Sequence, residues 1–254
     1  MTDNPATLAA PPAVSVVVPV NNEAENIAPL LAEIEAALRG PRSYEVIFVD
    51  DGSTDDTEAV LDRLMAARPR LRQIKHDRAS GKSAALRSGV RAARAPFIVI
   101  LDGDGQNNPA EIPALIDALH HGGASVGLVN SVRVGRKDTE FKRLQSRIAN
   151  RIRAALLRDG TRDSVSGLKA FPREVFLSLP FFDGLHRFMP ALVRREGYAL
   201  LQVDVIDRPR QHGRSHYGMW NRLWVGILDL FGVWWLIRRK KHQPMVTEVA
   251  RNAD

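Results

Sequence analysis

Five consecutive apolar residues, Phe97 to Leu101, run directly into Asp102-Gly103-Asp104-Gly105. A short apolar run bounded by Pro96 and by Asp-Gly pairs is the pattern of a strand buried on both faces of a parallel sheet. Such a strand constrains the fold more than any other stretch, because it needs strands at both edges and helices on both faces. It also sets two carboxylates just past its carboxyl end, the rim where open α/β sheets bind ligands. With one glycine between them Asp102 and Asp104 can converge, and Gly105 permits a sharp turn. Two carboxylates, with Gln106 close behind, suit a hard divalent cation that prefers oxygen ligands. They equally suit a plain Asp-Gly turn into the helix that Pro109 opens.

The residues before this strand supply its neighbours. VSVVVPV, Val14 to Val20, predicts a buried strand, and Leu30, Leu31, Ile34 and Leu38 predict a helix over Ile27 to Leu38 that Gly40-Pro41 ends. A second strand follows over Glu45 to Val49, then a helix from about Thr54 to Ala67 with Ser53 or Thr54 as its cap. Leu71 to His76 reads as a third strand and SGKSAALRSGVRAAR as a third helix. Strands alternating with helices predict βαβ units and an α/β fold with a mostly parallel sheet. Asp50 and Asp51 then end a second strand on the rim that carries Asp102 and Asp104. Like charges crowded at a rim are costly unless a cation or polar ligand compensates them. A nucleotide fits, with Asp51 accepting from the base and Asp102 and Asp104 holding metal and diphosphate. Gly81-Lys82-Ser83 adds backbone N–H groups and one cation at a helix start. It is not a Walker A loop, since His76 stands where that motif needs glycine, and no GxGxxG follows the first strand.

The chain of 254 residues is 44% hydrophobic, enough to bury one full core and an extension. Its net charge of +7 suits a phosphate-rich partner or an anionic membrane surface. Nucleic acid is disfavoured, because the basic residues lack interleaved aromatics and the strand ends are acidic. No cysteine is present, so disulfides, thiolate metal sites and thiol nucleophiles are excluded. MTDNPATLAAPP has neither the basic nor the apolar part of a signal peptide and reads as a disordered lead-in.

PVNNEAEN, VDDGSTDDT, GKSAALRSG and LDGDGQNNP, in this order and spacing, resemble the family 2 glycosyltransferases with the GT-A fold. Within them the likeness is to polyprenyl-phosphate glycosyltransferases of the dolichol-phosphate mannosyltransferase type. It continues through SRIAN, DSVSGLK and RQHGRSHYG, and so covers about residues 14 to 218. The resemblance implies a GDP- or UDP-linked sugar donor, Mg²⁺ or Mn²⁺ at the Asp-x-Asp motif, and an isoprenoid phosphate acceptor. It assigns Pro19 and Glu23 to nucleotide contacts, Asp51 to the base, and Asp102, Asp104 and Gln106 to the metal. Arg133, Arg147 and Arg210 would gather the phosphates of donor and acceptor. Two positions depart from the pattern: Asn21 stands where an aromatic residue is usual, and His216 where the late loop usually has lysine.

A lipid phosphate is already anionic at neutral pH and needs no general base, so in-line attack with inversion is expected. Asp163 in DSVSG is read either as a base or sugar contact, or as an Asx turn. Phe141 to Arg158 predicts an amphipathic basic helix with no acidic residue between Lys142 and Arg158. Leu223 to Ile237 is too short for an independent span, which takes about 20 residues, and its flanking tryptophans and RRKKH suit an interfacial helix. The expected organisation is a lead-in over 1–13, a catalytic domain over 14–218, an interfacial helix with basic anchor over 219–241, and a flexible tail. The expected location is the cytosolic face of the cell membrane, with a membrane-protein partner or self-association left open. A glycosyltransferase with a hydroxyl acceptor and a non-catalytic adaptor are the alternatives.

Overall fold

The expected strands all form and pair edge to edge. β1 (Val14–Val20), β2 (Tyr44–Asp50), β3 (Leu71–Lys75) and β4 (Phe97–Ile100) are joined by α1 (Ala24–Ala37), α2 (Thr57–Met65) and α3 (Lys82–Ala92). Beyond β4 come α4 (Ile112–Gly122), β5 (Val126–Val134), β6 (Lys169–Pro172), α5 (Arg173–Ser178), α6 (Leu185–Arg195), β7 (Ala199–Ile206) and α7 (Met219–Arg238). This computed structural model describes residues 10–134, 153, 155–206, 208, 219–239 and 247. Most of the expected lead-in, of the 141–158 helix, of the late loop and of the C-terminal tail lies outside the described residues.

The sheet runs β3-β2-β1-β4-β6-β5-β7. β1 to β4 are parallel, as right-handed crossovers require. β6 alone is antiparallel to its neighbours, β4 and β5, so the sheet is mixed but mostly parallel. β6 therefore enters the sheet at the edge where β4 and β5 leave it, and its first residue, Lys169, sits at the same rim as their ends. From β1 the chain winds outward through β2 to β3, then returns to β4 on the far side of β1. In open α/β sheets such a reversal marks the ligand crevice, here beyond the ends of β1 and β4 and beside the Asp102 loop.

Alternation along each strand builds two cores. Val14, Val16, Val18 and Val20 join a cluster with Ile27, Leu31, Ile34, Leu115 and Ile116 of α1 and α4, whereas Val17 belongs with Ala85, Leu86 and Val90 of α3. Gly89 sets how low α3 rides: a Cβ there would meet Val17 Cγ1 at 2.4 Å and Val49 Cγ2 at 2.9 Å. The close seat brings the head of α3, Gly81 to Ser83, to the rim.

α2 begins at Thr57, three residues later than the capping pattern suggests, because the nearer polar groups stitch two turns together. Ser53 Oγ accepts from the Asn22 N–H at 2.9 Å, and Asn22 Oδ1 accepts from the Thr54 N–H at 2.8 Å. The Asp55 carboxylate then accepts from the N–H groups of Thr57 at 3.0 Å and Ala24 at 3.2 Å. Asn22 takes a φ of 56°, a left-handed value that asparagine tolerates.

α7 extends past both ends of the apolar run Leu223 to Ile237. Val233, Leu230, Trp234, Leu236 and Ile237 pack on the core that includes α6. Asp229 pairs with Arg187 at 3.1 Å near the start of α6, and the Leu236 carbonyl accepts from Arg195 Nε at 3.0 Å at its end. The two helices thus run side by side in one direction. Residues 219–226 project past the amino end of α6, by about 12 Å at 1.5 Å per residue. Val225, Leu228, Phe231 and Trp235 remain exposed. Among the described residues no helix is long and apolar enough to cross a membrane.

Candidate active site

The Asp102 loop closes on itself at the β1/β4 crevice. Asn107 Oδ1 accepts from the Asp102 N–H at 2.9 Å, and Asp104 Oδ1 accepts from the Gln106 N–H at 3.1 Å. Gly103 is needed where it stands: a Cβ would lie 2.6 Å from Val20 Cγ1 and 3.0 Å from the Pro19 carbonyl. Gly105 turns the chain at a φ of 73°. The Lys82 ammonium, at the head of α3, donates to Asp102 Oδ1. Burial works to raise the Asp102 carboxyl, but Lys82, with Lys169 further off, outweighs it and holds the group below the usual carboxylate range. Behind Asp102 the chain must be glycine again: a Cβ on Gly167 would fall 2.5 Å from both Asp102 Oδ2 and Asn107 Oδ1. Asp102, Asp104 and the Gln106 amide form an all-oxygen set that fits a hard cation completed by phosphates. Among the described residues no cluster of three or more His, Asp or Glu does so.

Asp51, at the end of β2, is tied to the loop that leads into α3. Its Oδ1 accepts from the Ser80 N–H at 2.9 Å and lies 2.7 Å from His76 Nδ1, while Oδ2 accepts from the Gly81 N–H at 2.8 Å. The Gly81 amide expected near a phosphate is therefore committed to Asp51. Gly52 permits this closure, since a Cβ there would sit 2.5 Å from the Ala79 nitrogen. Asn21 Nδ2 donates to the Asp51 carbonyl at 2.7 Å, so this residue braces the same loop. Glu23 holds the start of α1: Oε2 accepts from Asn26 Nδ2 at 2.6 Å, and its N–H donates to Thr57 Oγ1 at 3.1 Å.

Across the crevice, Arg133 near the end of β5 grips Asp163. Arg133 Nε donates to Oδ2 at 2.7 Å and an Nη to Oδ1 at 3.1 Å, and the Val165 N–H adds an Asx turn at 3.2 Å. Burial opposes ionisation, yet the guanidinium hydrogen bonds lower the Asp163 pKa. Because the folded value lies below the unfolded one, the pair is intact at neutral pH and breaks only as pH falls through that lowered value. In this geometry Asp163 holds the Arg133 guanidinium in place. Asp163→Asn is accordingly expected to raise the KM for an anionic substrate about tenfold with a smaller change in kcat. A steady-state comparison at neutral pH checks it; a collapse of kcat with KM unchanged would make Asp163 a base.

Three further residues stand at the rim without having been singled out in the sequence. Lys169 is 2% exposed and donates to the Ser166 carbonyl; burial, with Lys82 nearby, lowers its pKa to about 7. Its one sequence signal is a lysine opening an apolar strand. His186 at the start of α6 lies 2.8 Å from Ser83 Oγ, a pairing 103 residues apart that no local pattern reveals. Arg208 donates its N–H to the Gln106 carbonyl at 3.1 Å and its guanidinium to Glu33 at 2.7 Å and to Asn108, tying the chain after β7 to the Asp102 loop. Arg147, Arg210 and His216 lie outside the described residues.

Residues 15–179 match the family described as Glycosyl transferase family 2. The chain is 33% identical over 232 residues to a dodecaprenyl-phosphate galacturonate synthase of Rhizobium johnstonii, covering 89% of this chain and 68% of the relative. It is 32% identical over 213 residues to an undecaprenyl-phosphate 4-deoxy-4-formamido-L-arabinose transferase of Edwardsiella ictaluri, covering 81% and 63% respectively. The chain thus spans under two thirds of the second relative's length. In three dimensions it is similar to a mannosyltransferase from Pyrobaculum calidifontis in complex with GDP-Man and Mn²⁺, with a TM-score of 0.66, 26% identity, and coverage of 93% of this chain and 67% of that one. The glucosyl-3-phosphoglycerate synthase of Mycobacterium tuberculosis shares the fold, with a TM-score of 0.64, 24% identity, and coverage of 89% and 80%.

Proposed function

The chain belongs to the family 2 glycosyltransferases, and from that premise we propose that it moves a sugar from a nucleotide-sugar donor to a polyprenyl phosphate. The observation that carries the acceptor is the Arg133–Asp163 pair. A hydroxyl acceptor needs a general base, whereas the carboxylate facing the crevice from this side is held bidentately and acidified. A lipid monophosphate, with a second pKa of about 6, is already an anion and attacks without one. The names of the two polyprenyl-phosphate relatives support the same class.

In the proposed step an acceptor phosphate oxygen attacks the sugar C1 in line with its bond to the nucleoside diphosphate. The new C1–O bond forms as the old one breaks, the diphosphate leaves with the electron pair, and C1 inverts. Lys82 is set to meet the charge on the leaving diphosphate, and Arg133, with Arg147 and Arg210 by resemblance, to meet the acceptor phosphate. Asp102, Asp104 and Gln106 would hold Mg²⁺ or Mn²⁺, whose chemistry is to neutralise that diphosphate as a Lewis acid. Pro19, Glu23 and the Asp51 loop are assigned to the nucleoside half.

Such an acceptor lies in a bilayer, so this rim faces a membrane surface in the proposed working state. The exposed stripe on α7 supports that orientation, and the net charge of +7 suits an anionic surface. The cytosolic leaflet of the inner membrane is the proposed location. The test is transfer of labelled sugar from a panel of UDP- and GDP-sugars to undecaprenyl phosphate, with Mg²⁺, Mn²⁺ or chelator, followed by organic extraction. Chelator-sensitive label in the organic phase is expected, together with co-sedimentation on anionic vesicles that Leu228→Glu/Phe231→Glu weakens. Nucleoside diphosphate release without lipid label would instead assign a hydroxyl acceptor.

A further inference from the structure

Beneath Asp102, on the sheet face covered by α3 and α6, lie polar groups that this mechanism leaves unused. Lys169 pairs in register with Ile100 of β4 and Asn130 of β5, so it stands between the two strands whose ends carry Asp102 and Arg133. Its ammonium can donate three hydrogen bonds, and among the described residues it makes one, to the Ser166 carbonyl. Lys82 is paired with Asp102 and Arg133 with Asp163, whereas Lys169 touches no carboxylate among the described residues and feels Asp102 and Asp163 only from further off. Asn130 is fully buried, donates to the Asp163 carbonyl at 2.6 Å, and leaves its Oδ1 without a partner.

His186 completes the group. Ser83 Oγ accepts from the Gly184 N–H at 3.0 Å and lies 2.8 Å from His186 Nδ1. In the tautomer in which the serine donates to Nδ1, the imidazole proton sits on Nε2, which has no partner among the described residues. Burial, reinforced by Lys82 and Lys169, keeps the ring neutral. An unpaired ammonium buried in an apolar strand is costly, and an aliphatic side chain would fill the position more stably.

We propose that Lys169 and the Nε2–H of His186 form an oxyanion subsite at the transfer centre, between the donor-side pair Lys82–Asp102 and the acceptor-side pair Arg133–Asp163. The proposal rests on the reading of this crevice as a glycosyltransferase site. Three oxyanions meet there: the donor's diphosphate, the acceptor's phosphate, and the carboxylate of the sugar if the donor carries a uronic acid. Lys169→Met in the full chain separates them. Its melting temperature is expected to hold or rise, while function falls about 30-fold, the worth of one hydrogen bond to a charged group. A weaker Kd for UDP with Mg²⁺ assigns the subsite to the donor diphosphate, and a raised KM for undecaprenyl phosphate to the acceptor. A collapsed preference for UDP-galacturonate over UDP-galactose assigns it to the sugar, and Lys169→Arg is expected to recover part of whichever is lost. A lower melting temperature with all three quantities unchanged would make Lys169 a structural cation and overturn the proposal. The UDP arm needs no acceptor, so it stands even if wild-type protein fails to label lipid, which would overturn the acceptor reading alone.

Discussion

Asp102→Asn is expected to lower kcat/KM for sugar transfer about a thousand-fold, equivalent to about 4 kcal/mol of transition-state stabilisation. The substitution keeps the shape of the side chain, and the Asn107 bond to the residue 102 N–H is unaffected because it uses backbone. What it removes is a negative charge that Lys82 holds ionised at the crevice. Stability should change little, because Lys82 and Asp102 are each about one-third exposed, at 31% and 32%, and solvent-exposed pairs of this kind contribute about 0 to 1 kcal/mol. The melting curve should therefore nearly superimpose on that of the wild type while turnover collapses. Chelator should bring wild-type activity to the same floor and reduce the variant little further, since groups acting as one unit are not additive. A variant that keeps more than about a tenth of wild-type activity in excess Mg²⁺ or Mn²⁺ would remove Asp102 from the metal set.

Gly167→Ala is expected to reduce transfer about a hundred-fold and to destabilise the fold by about 1 to 3 kcal/mol, the range for overpacking. The added methyl would lie 2.5 Å from Asp102 Oδ2 and from Asn107 Oδ1, so one or both must move. Asn107 cannot move without giving up the Asp102 N–H, and Asp102 cannot move without leaving Lys82. The effect on kcat arises because small displacements of a positioned group cost large factors in rate. Gly40→Ala is the control: nothing lies within 4 Å of a Cβ there, and activity and melting temperature should be unchanged. Wild-type kinetics in Gly167→Ala would show that the carboxylate has room the structure denies it.

The strands were legible because burial on two faces leaves runs such as Val14 to Val20 and Phe97 to Leu101, and the rim was legible because the second and fourth strands stop at acidic residues. The start of α2 was not, because Ser53, Asn22 and Asp55 bond across two turns more than thirty residues apart, and a cap pattern describes one turn only. Asp51 shows the same limit. Its place at a strand end is readable, but its three donors come from a loop that folds back from β3, and Gly52 must be glycine for that loop to close. For Asp163 the residue pattern left an Asx turn and a catalytic base equally open. The Arg133 fork, reaching across 30 residues, was not visible in that pattern.

By itself the sequence determined the alternating architecture, the acidic rim and the order of the motifs along it, since periodicity and strand ends depend on neighbours a few residues away. Only the tertiary structure decided what the rim does with those groups. The reversal of β6 brings Lys169 and Gly167 beneath Asp102, and the seating of α6 on α3 brings His186 to Ser83. Both depend on how distant segments pack against one sheet, because each side chain's partners are chosen by which surfaces bury together and not by its neighbours in the chain.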